Sequence, residues 1–378
     1  MRIAFLFIAE AYQAYHLAGV ALELRRRPGV EVDLYYNDPA MPRHVERICA
    51  AFGEPPLNAI RLKRDWKARL IQMPRLLGLA KKQVLAANLE ELLAYDMVVS
   101  SERVGGYLAQ LAGDRPQRAR LAYIPHGPVG RQVASERQAG LFDLLLLPGR
   151  GDVERYRALG CLHEGGYRAT GYPKLETVEM LGRSMPSLFV EQRPIILYNP
   201  HKIRNLSSWR PWIEPLLAQS ARQDDFNLIV APHVKLFHRR SEKVKERWRA
   251  RSTPSILIDP GSDRCLDNSY TQVADIYLGD VSSQVTEFLR HPRPCVFLNP
   301  HKVKWRDNPH FRSWTLGEVV EDIDELMPAL RRAKDMHPHY IEAQKAFIGG
   351  SLSQPPGGAI RYTADSLLEY LEKGRVDP

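Results

Sequence analysis

What most restricts the fold of this chain is the alternation of short, wholly apolar segments with longer amphipathic ones. Ile3–Ile8, Val32–Tyr36, Met97–Ser100, Arg120–Ile124, Leu144–Leu147, Ile195–Tyr198, Asn227–Val230, Ser255–Ile258, Ile276–Leu278 and Cys295–Leu298 are mostly rich in Val, Ile and Leu and apolar on both faces. Strands of a parallel sheet covered by helices have this character. Helical patterns fit between them at Leu17–Arg27, Lys81–Leu93, Val104–Gly113, Trp209–Ala221, Glu242–Ala250 and Ile323–Lys334. The alternation predicts an α/β fold of doubly wound sheets.

At 378 residues the chain is too long for one ordinary core, and it fits two domains of roughly 150–200 residues each. The segment Gly171–Arg193, with two internal prolines and no clear strand, separates five strands from the next five. The expected domains are 1–180 and 190–355, with a final helical segment 356–378 packing back on the first. Facing each other, two such domains would present the C-terminal ends of their strands to a shared cleft, the usual ligand position in open α/β sheets.

Lys and Arg outnumber Asp and Glu by nine (53 against 44), which favours an anionic partner without choosing one. Cys49, Cys161, Cys265 and Cys295 are scattered with no paired spacing, against a zinc knuckle or disulfide framework and in keeping with a reducing cytoplasm. No metal site and no cofactor motif is readable. The opening MRIAFLFIAEAYQAYH is interrupted by Glu10, and nowhere do eighteen apolar residues run together, so membrane association is expected to be peripheral at most.

The chemistry-bearing residues cluster just after predicted strands. Ala274–Asn299 reads as strand, polar elbow, short helix and strand, with Gly279-Asp280 ending the first strand and Ser282-Ser283 opening the helix toward Glu287. Hydroxyls and unpaired N–H groups at such an end either cap the helix or hold a pyrophosphate. Four further strands exit into a proline followed by histidine: Pro125-His126-Gly127, Pro200-His201-Lys202-Ile203-Arg204, Pro232-His233-Val234-Lys235 and Pro300-His301-Lys302. Proline ends strand pairing because it lacks an N–H, and the next side chain is turned off the sheet edge. An imidazole there is a base near neutral pH, a phosphate contact when protonated, or a satisfied structural group. The repeated Asn-Pro-His-Lys at 199 and 299 is too short to establish duplication.

Taken in order, His126-Gly127-Pro128, Gly171-Tyr172-Pro173-Lys174, Leu197-Tyr198-Asn199-Pro200, Ala231-Pro232-His233 and the block from Ala274-Asp275 through Gly279-Asp280-Val281-Ser282-Ser283 to Glu287-Phe288-Leu289 resemble the CDP-glycerol glycerophosphotransferases of teichoic-acid and capsule synthesis. The resemblance covers about residues 120–300, with a weaker echo in Gly357–Leu371. It implies two Rossmann-like domains in a glycosyltransferase-B-like (GT-B-like) arrangement around a central cleft, and a cell-envelope transferase working in the cytoplasm or at the inner membrane face. By position it implies that His126, beside Gly127, is the base for the acceptor hydroxyl. His233 would meet the donor pyrophosphate with Ser282 and Ser283, while Asp280 and Glu287 would orient hydroxyls or contact glycerol or ribose. His201, Lys202 and Arg204 would lie on the donor side, and Gly127, Glu10 and Lys235 elsewhere in the cleft.

Two departures from the family touch substrate positioning. Pro200-His201-Lys202-Ile203-Arg204 stands where members carry Pro-Thr-aromatic-Arg, and Pro128-Val129-Gly130-Arg131 follows the His-Gly turn in place of a threonine and a lysine. The expected partners are CDP-glycerol or a related CDP- or UDP-activated donor and an anionic polymer or glycolipid acceptor. A nucleotide-sugar glycosyltransferase, a UDP-sugar 2-epimerase and a non-catalytic basic scaffold remain open, since fold does not fix function. Nucleic acid is not expected, because zinc spacings, a helix-turn-helix and aromatic–basic RNA motifs are missing.

Two basic runs complete the reading. Residues 61–82 carry eight basic residues and one acidic residue, and suit either a peripheral contact with anionic lipid or polymer or an ordinary solvated helix. Lys235–Arg251 carries eight basic residues with Glu242 and Glu246 interspersed, the pattern of a solvated helical face.

Overall fold

The computed structural model describes residues 1–64, 77–115, 118–127, 134–183, 186–282 and 284–377. These divide into two compact units, one comprising Met1–Leu181 with the segment from Gly350 onward, the other Gly182–Gly349.

In the first unit, β1 (Arg2–Phe7), β2 (Glu31–Tyr36), β3 (Asn58–Arg61), β4 (Met97–Ser100), β5 (Arg120–Tyr123), β6 (Leu144–Leu147) and β7 (Tyr167–Ala169) form one sheet in the order β3-β2-β1-β4-β5-β6-β7. Every pairing is parallel. In the second, β8 (Ile195–Asn199), β9 (Asn227–Val230), β10 (Ile256–Ile258), β11 (Ile276–Gly279), β12 (Cys295–Leu298) and β13 (Glu318–Val320) pair in the order β10-β9-β8-β11-β12-β13, again all parallel. Both are doubly wound, Rossmann-like α/β sheets. In each, the strand order reverses beside the first strand, between β1 and β4 and between β8 and β11, and the C-terminal ends at such a reversal leave a crevice for a ligand.

The interior strands form because both of their faces are covered. Met97–Ser100, Leu144–Leu147, Asn227–Val230, Ile276–Gly279 and Cys295–Leu298 are buried at every position. Three strands lay outside the sequence expectation, β3, β7 and β13, and all three are sheet edges. An edge strand needs no continuous apolar run because one side faces solvent: Asn58–Arg61 has only Ala59 and Ile60, both half-buried. The expected helix 81–93 is interrupted at Asn88, whose buried amide donates to Val84 O and Lys63 O and accepts Lys63 N–H. The expected helix at 104 opens as a 3-10 turn, Arg103–Gly106, with Gly105 and Gly106 packed tightly against Ser100, Leu141 and Phe142.

The C-terminal helix Ala359–Lys373 belongs to the first unit and packs on the helix Ala14–Arg25. The Glu176 carboxylate accepts the N–H groups of Ala359 and Ile360, an anion satisfying two orphan donors at a helix start. Further along, buried Arg168 bonds Glu369 at 2.7 Å and Ser366 at 3.0 Å.

Residues 65–76 of the first basic run lie outside the described residues; at its ends, Lys63 pairs with Glu91 and Lys81 with Glu102. In the second run, Glu242 and Glu246 pair with Lys245 and Arg249 three residues on. Trp248 tilts against Trp209 and anchors the opposite face of that helix. Among the described residues no helix is long and apolar enough to cross a membrane.

Candidate functional site

Two separate clusters of polar side chains gather at the strand-order reversals, one in each unit. In the second unit the organiser is Asp280, which follows β11 and is fully buried. Its Oδ2 accepts the backbone N–H of His201 at 2.8 Å and of Ser208 at 3.0 Å. Burial pushes its carboxyl up to about 7, and among the described residues Oδ1 has no partner. The Ser207 carbonyl accepts from His301 Nε2 at 3.1 Å. The loop 201–208 is therefore tied to the ends of β11 and β12 through two amides and a carbonyl, which fixes the backbone carrying His201, Lys202 and Arg204.

Within this frame His201 and His233 meet edge to face, with ring centroids 6.0 Å apart. Each ring accepts at Nδ1 from the backbone N–H two residues on, His201 from Ile203 and His233 from Lys235, both at 3.1 Å. A backbone amide only donates, so Nδ1 is bare and the ring hydrogen sits on Nε2. Burial, then Lys202, His201 and Lys235, lowers His233 to about 4. It is a neutral N–H donor at pH 7, in a setting that already holds exposed Lys202, Arg204 and Lys235.

Other donor-side residues take supporting positions. The Ser282 hydroxyl accepts Gln284 N–H at 3.2 Å and lies 3.5 Å from Asn199 Oδ1, the capping alternative that the sequence left open. Ser283 lies outside the described residues. The helix they precede, Gln284–Phe288, is five residues long. Glu287 is buried and its carboxylate accepts from the Asn268 amide. Gly279 is required by crowding, because a Cβ there would stand 2.8 Å from Asn199 O and 2.9 Å from the Tyr277 hydroxyl. The two Asn-Pro-His-Lys copies differ in geometry: Asn199 donates to Ala231 O, whereas Asn299 closes its own turn on Val303, with Lys302 at φ 50.

In the first unit the register places Ser100 opposite Tyr123, so the chains leaving β4 and β5 run side by side. His126 Nδ1 lies 3.0 Å from the Ser101 carbonyl. A carbonyl only accepts, so here the hydrogen is on Nδ1, and in the neutral form of the ring Nε2 carries the lone pair. Gly127 adopts φ +144, beyond the comfort of a residue with a Cβ. Glu10, half-buried at the exit of β1, raises the Tyr12 phenol together with Glu102, burial being the larger cause.

Three groups here escaped the sequence reading. His16 is buried, its Nδ1 3.1 Å from the Tyr172 hydroxyl and its ring edge-on to His126 at 6.1 Å. Burial, then Lys174 and His126, holds it well below the usual imidazole range. Tyr172 and Lys174 stood in a quoted motif without a role, and His16 lies inside the helix Ala14–Arg25 with no proline before it. Its only sequence signal is that it lies one short turn beyond the first strand.

The four cysteines are free thiols at buried positions. Among the described residues no group of three or more His, Cys, Asp or Glu side chains could hold a metal ion.

No family model and no curated protein matches this chain by sequence. Its fold is nevertheless that of known structures. The wall teichoic acid polymerase TagF, soaked with CDPG, superposes with a TM-score of 0.64 at 14% identity over 99% of this chain and 89% of that one. UDP-GlcNAc 2-epimerase from Neisseria meningitidis, bound to UDP-GlcNAc, gives 0.65 at 14% identity over 99% and 100%. A putative UDP-N-acetylglucosamine 2-epimerase from Listeria monocytogenes gives 0.69 at 13% identity over 100% and 98%. The chain thus has the GT-B-like fold of two Rossmann-like domains; at this identity the likeness speaks for architecture alone.

Proposed function

We propose that this chain is a transferase that moves a glycerol-phosphate or related alditol-phosphate unit from a CDP-activated donor to an acceptor hydroxyl. The observation that carries the reading is the opposite backbone partner of two imidazoles, a carbonyl at His126 Nδ1 and an amide at His233 Nδ1, from which His126 offers a lone pair at Nε2 and His233 an N–H there. The first arrangement suits removal of a proton from a hydroxyl, and the second suits contact with a phosphate oxygen.

In the step envisaged, His126 Nε2 takes the proton of the acceptor hydroxyl as that oxygen attacks the β-phosphorus of CDP-glycerol. The bond from that phosphorus to the bridging oxygen breaks, and CMP leaves with the electron pair. His233 Nε2–H and the cations Lys202, Arg204 and Lys235 meet the charge on the departing phosphate. One such donor in a water-poor site is worth roughly 3–4 kcal/mol. Asp280 acts indirectly, by fixing the loop that carries His201 and Lys202. Neither metal nor cofactor is invoked. The acceptor we favour is an anionic polymer or glycolipid, met at the inner membrane face.

Product analysis tests this. The purified protein, incubated separately with CDP-glycerol and with UDP-N-acetylglucosamine in the presence of an oligomeric glycerol-phosphate acceptor, should release CMP and lengthen the acceptor with the first and leave the second unchanged. Release of UDP, or an epimerised sugar, with no CMP would contradict it.

A further inference from the structure

We infer that His16 is a positioning residue for His126, acting through the Tyr172 hydroxyl to hold the His126-Gly127 turn in the arrangement that leaves Nε2 bare. This rests on the assignment of His126 as base.

Two supports converge on that turn. On one side the Ser101 carbonyl takes the Nδ1 hydrogen of His126 at 3.0 Å. On the other stand His16, edge-on to the His126 ring at 6.1 Å and 81°, and Tyr172, whose hydroxyl lies 3.5 Å from where a Cβ on Gly127 would be. The hydroxyl is held in turn by His16 Nδ1 at 3.1 Å. Gly127, at φ +144, has no side chain of its own to fix its conformation. Without the hydroxyl, space opens beside Gly127, and the ring gains room to rotate away from Ser101.

The surroundings of His16 fit this task. It is 2% exposed on the helix Ala14–Arg25. The groups that face it are Tyr12 from the preceding turn, His126 from the β5 exit, and Tyr172 and Lys174 from the start of the helix Pro173–Gly182. Glu10 and Glu102 act on the adjacent Tyr12. Burial, Lys174 and His126 keep the His16 ring uncharged, so it serves as a hydrogen-bond partner and does not compete with His126 for a proton.

The test uses the whole chain with 15N-labelled histidine, the His126 ring signals being identified by their loss in His126→Gln. Tyr172→Phe removes one oxygen, and His16→Leu removes the ring. His16→Asn places an amide where Nδ1 was. Tyr172→Phe and His16→Leu should convert the His126 ring from the single Nδ1–H form to a mixture of tautomers and lower kcat roughly 3- to 10-fold, the worth of one hydrogen bond, with KM for CDP-glycerol unchanged. His16→Asn should restore most of both. Retention of the Nδ1–H form in Tyr172→Phe and His16→Leu overturns the inference. So does a loss that follows the melting temperature and raises KM and lowers kcat together. The tautomer is read without substrate: if the unaltered chain releases no CMP, the transfer reading fails, while the spectra still decide the role of His16.

Discussion

The two strand-exit histidines, His126 and His233, leave their strands alike and meet opposite backbone groups at Nδ1. Both follow a proline after a parallel strand. At His126 the nearest backbone group to Nδ1 is a carbonyl, from Ser101 on the neighbouring strand exit. At His233 it is an amide, from Lys235 in its own turn. One hydrogen bond, reversed in sense, leaves a lone pair on Nε2 of one neutral ring and an N–H on Nε2 of the other. What a histidine can do is thus decided by the backbone behind it more than by its place after the strand.

Substitution by glutamine breaks or sharpens this contrast most strongly, because its amide places an N–H near the position of Nε2 but has no basic lone pair. His126→Ala and His126→Gln should both lower kcat about 10²–10⁴-fold with donor affinity nearly intact, as measured by CMP release and by calorimetric titration. For His233, alanine should cost about 10²–10³-fold in kcat/KM, while His233→Gln should recover all but roughly tenfold. Equal rescue by glutamine at both positions would remove the distinction.

A smaller effect concerns proton uptake. Lys202 and Lys235 help to hold His233 near 4, burial being the larger cause. A bound pyrophosphate offsets those cations, so titration of His233 by NMR with CDP-glycerol present should move upward by about one unit; an unmoved or lowered value would place the anion elsewhere. In the free protein His233 lies below its unfolded value of about 6.5. The unfolded chain therefore binds the extra proton, and stability from this group is lost as pH falls from about 6.5 toward 4.

The smallest effect tests the frame beneath His233. Asp280 is raised to about 7 by burial, so the protonated form is favoured in the folded chain. That contribution is fully present below its unfolded value and lost as pH rises through 7. Asp280→Asn keeps a carbonyl oxygen for the His201 and Ser208 amides and carries no charge. It should raise the melting temperature by roughly 2–4 °C at pH 8 and by clearly less at pH 5. An equal loss at both pH values would mean that the ionised carboxylate is what the loop needs.

Interior strands were legible in the sequence because burial on both faces demands an unbroken apolar run, as at Leu144–Leu147. The edges β3, β7 and β13 were not, since an edge needs no apolar run: Asn58 is exposed, Glu318 half-buried, and buried Arg168 is satisfied by Glu369 and Ser366. The Pro-His exits were legible because proline stops pairing at a defined residue. The identity of the atom behind each ring was not, as it depends on which strand exit lies alongside. Asp280 was visible as a polar group after a strand, yet its task of tying down the loop 201–208 belongs to contacts about 80 residues away in the chain. His16 carried no Pro-His signal, only its place one short turn beyond the first strand, and is brought to His126 by the fold of the first unit.

The most direct check on the opposed imidazoles is a long-range proton–nitrogen correlation spectrum of the histidine rings in the unliganded protein near pH 7.5. The His126 ring should carry its hydrogen on Nδ1, and the His233 and His201 rings on Nε2. A shared tautomer for His126 and His233 would contradict the division of labour between base and donor.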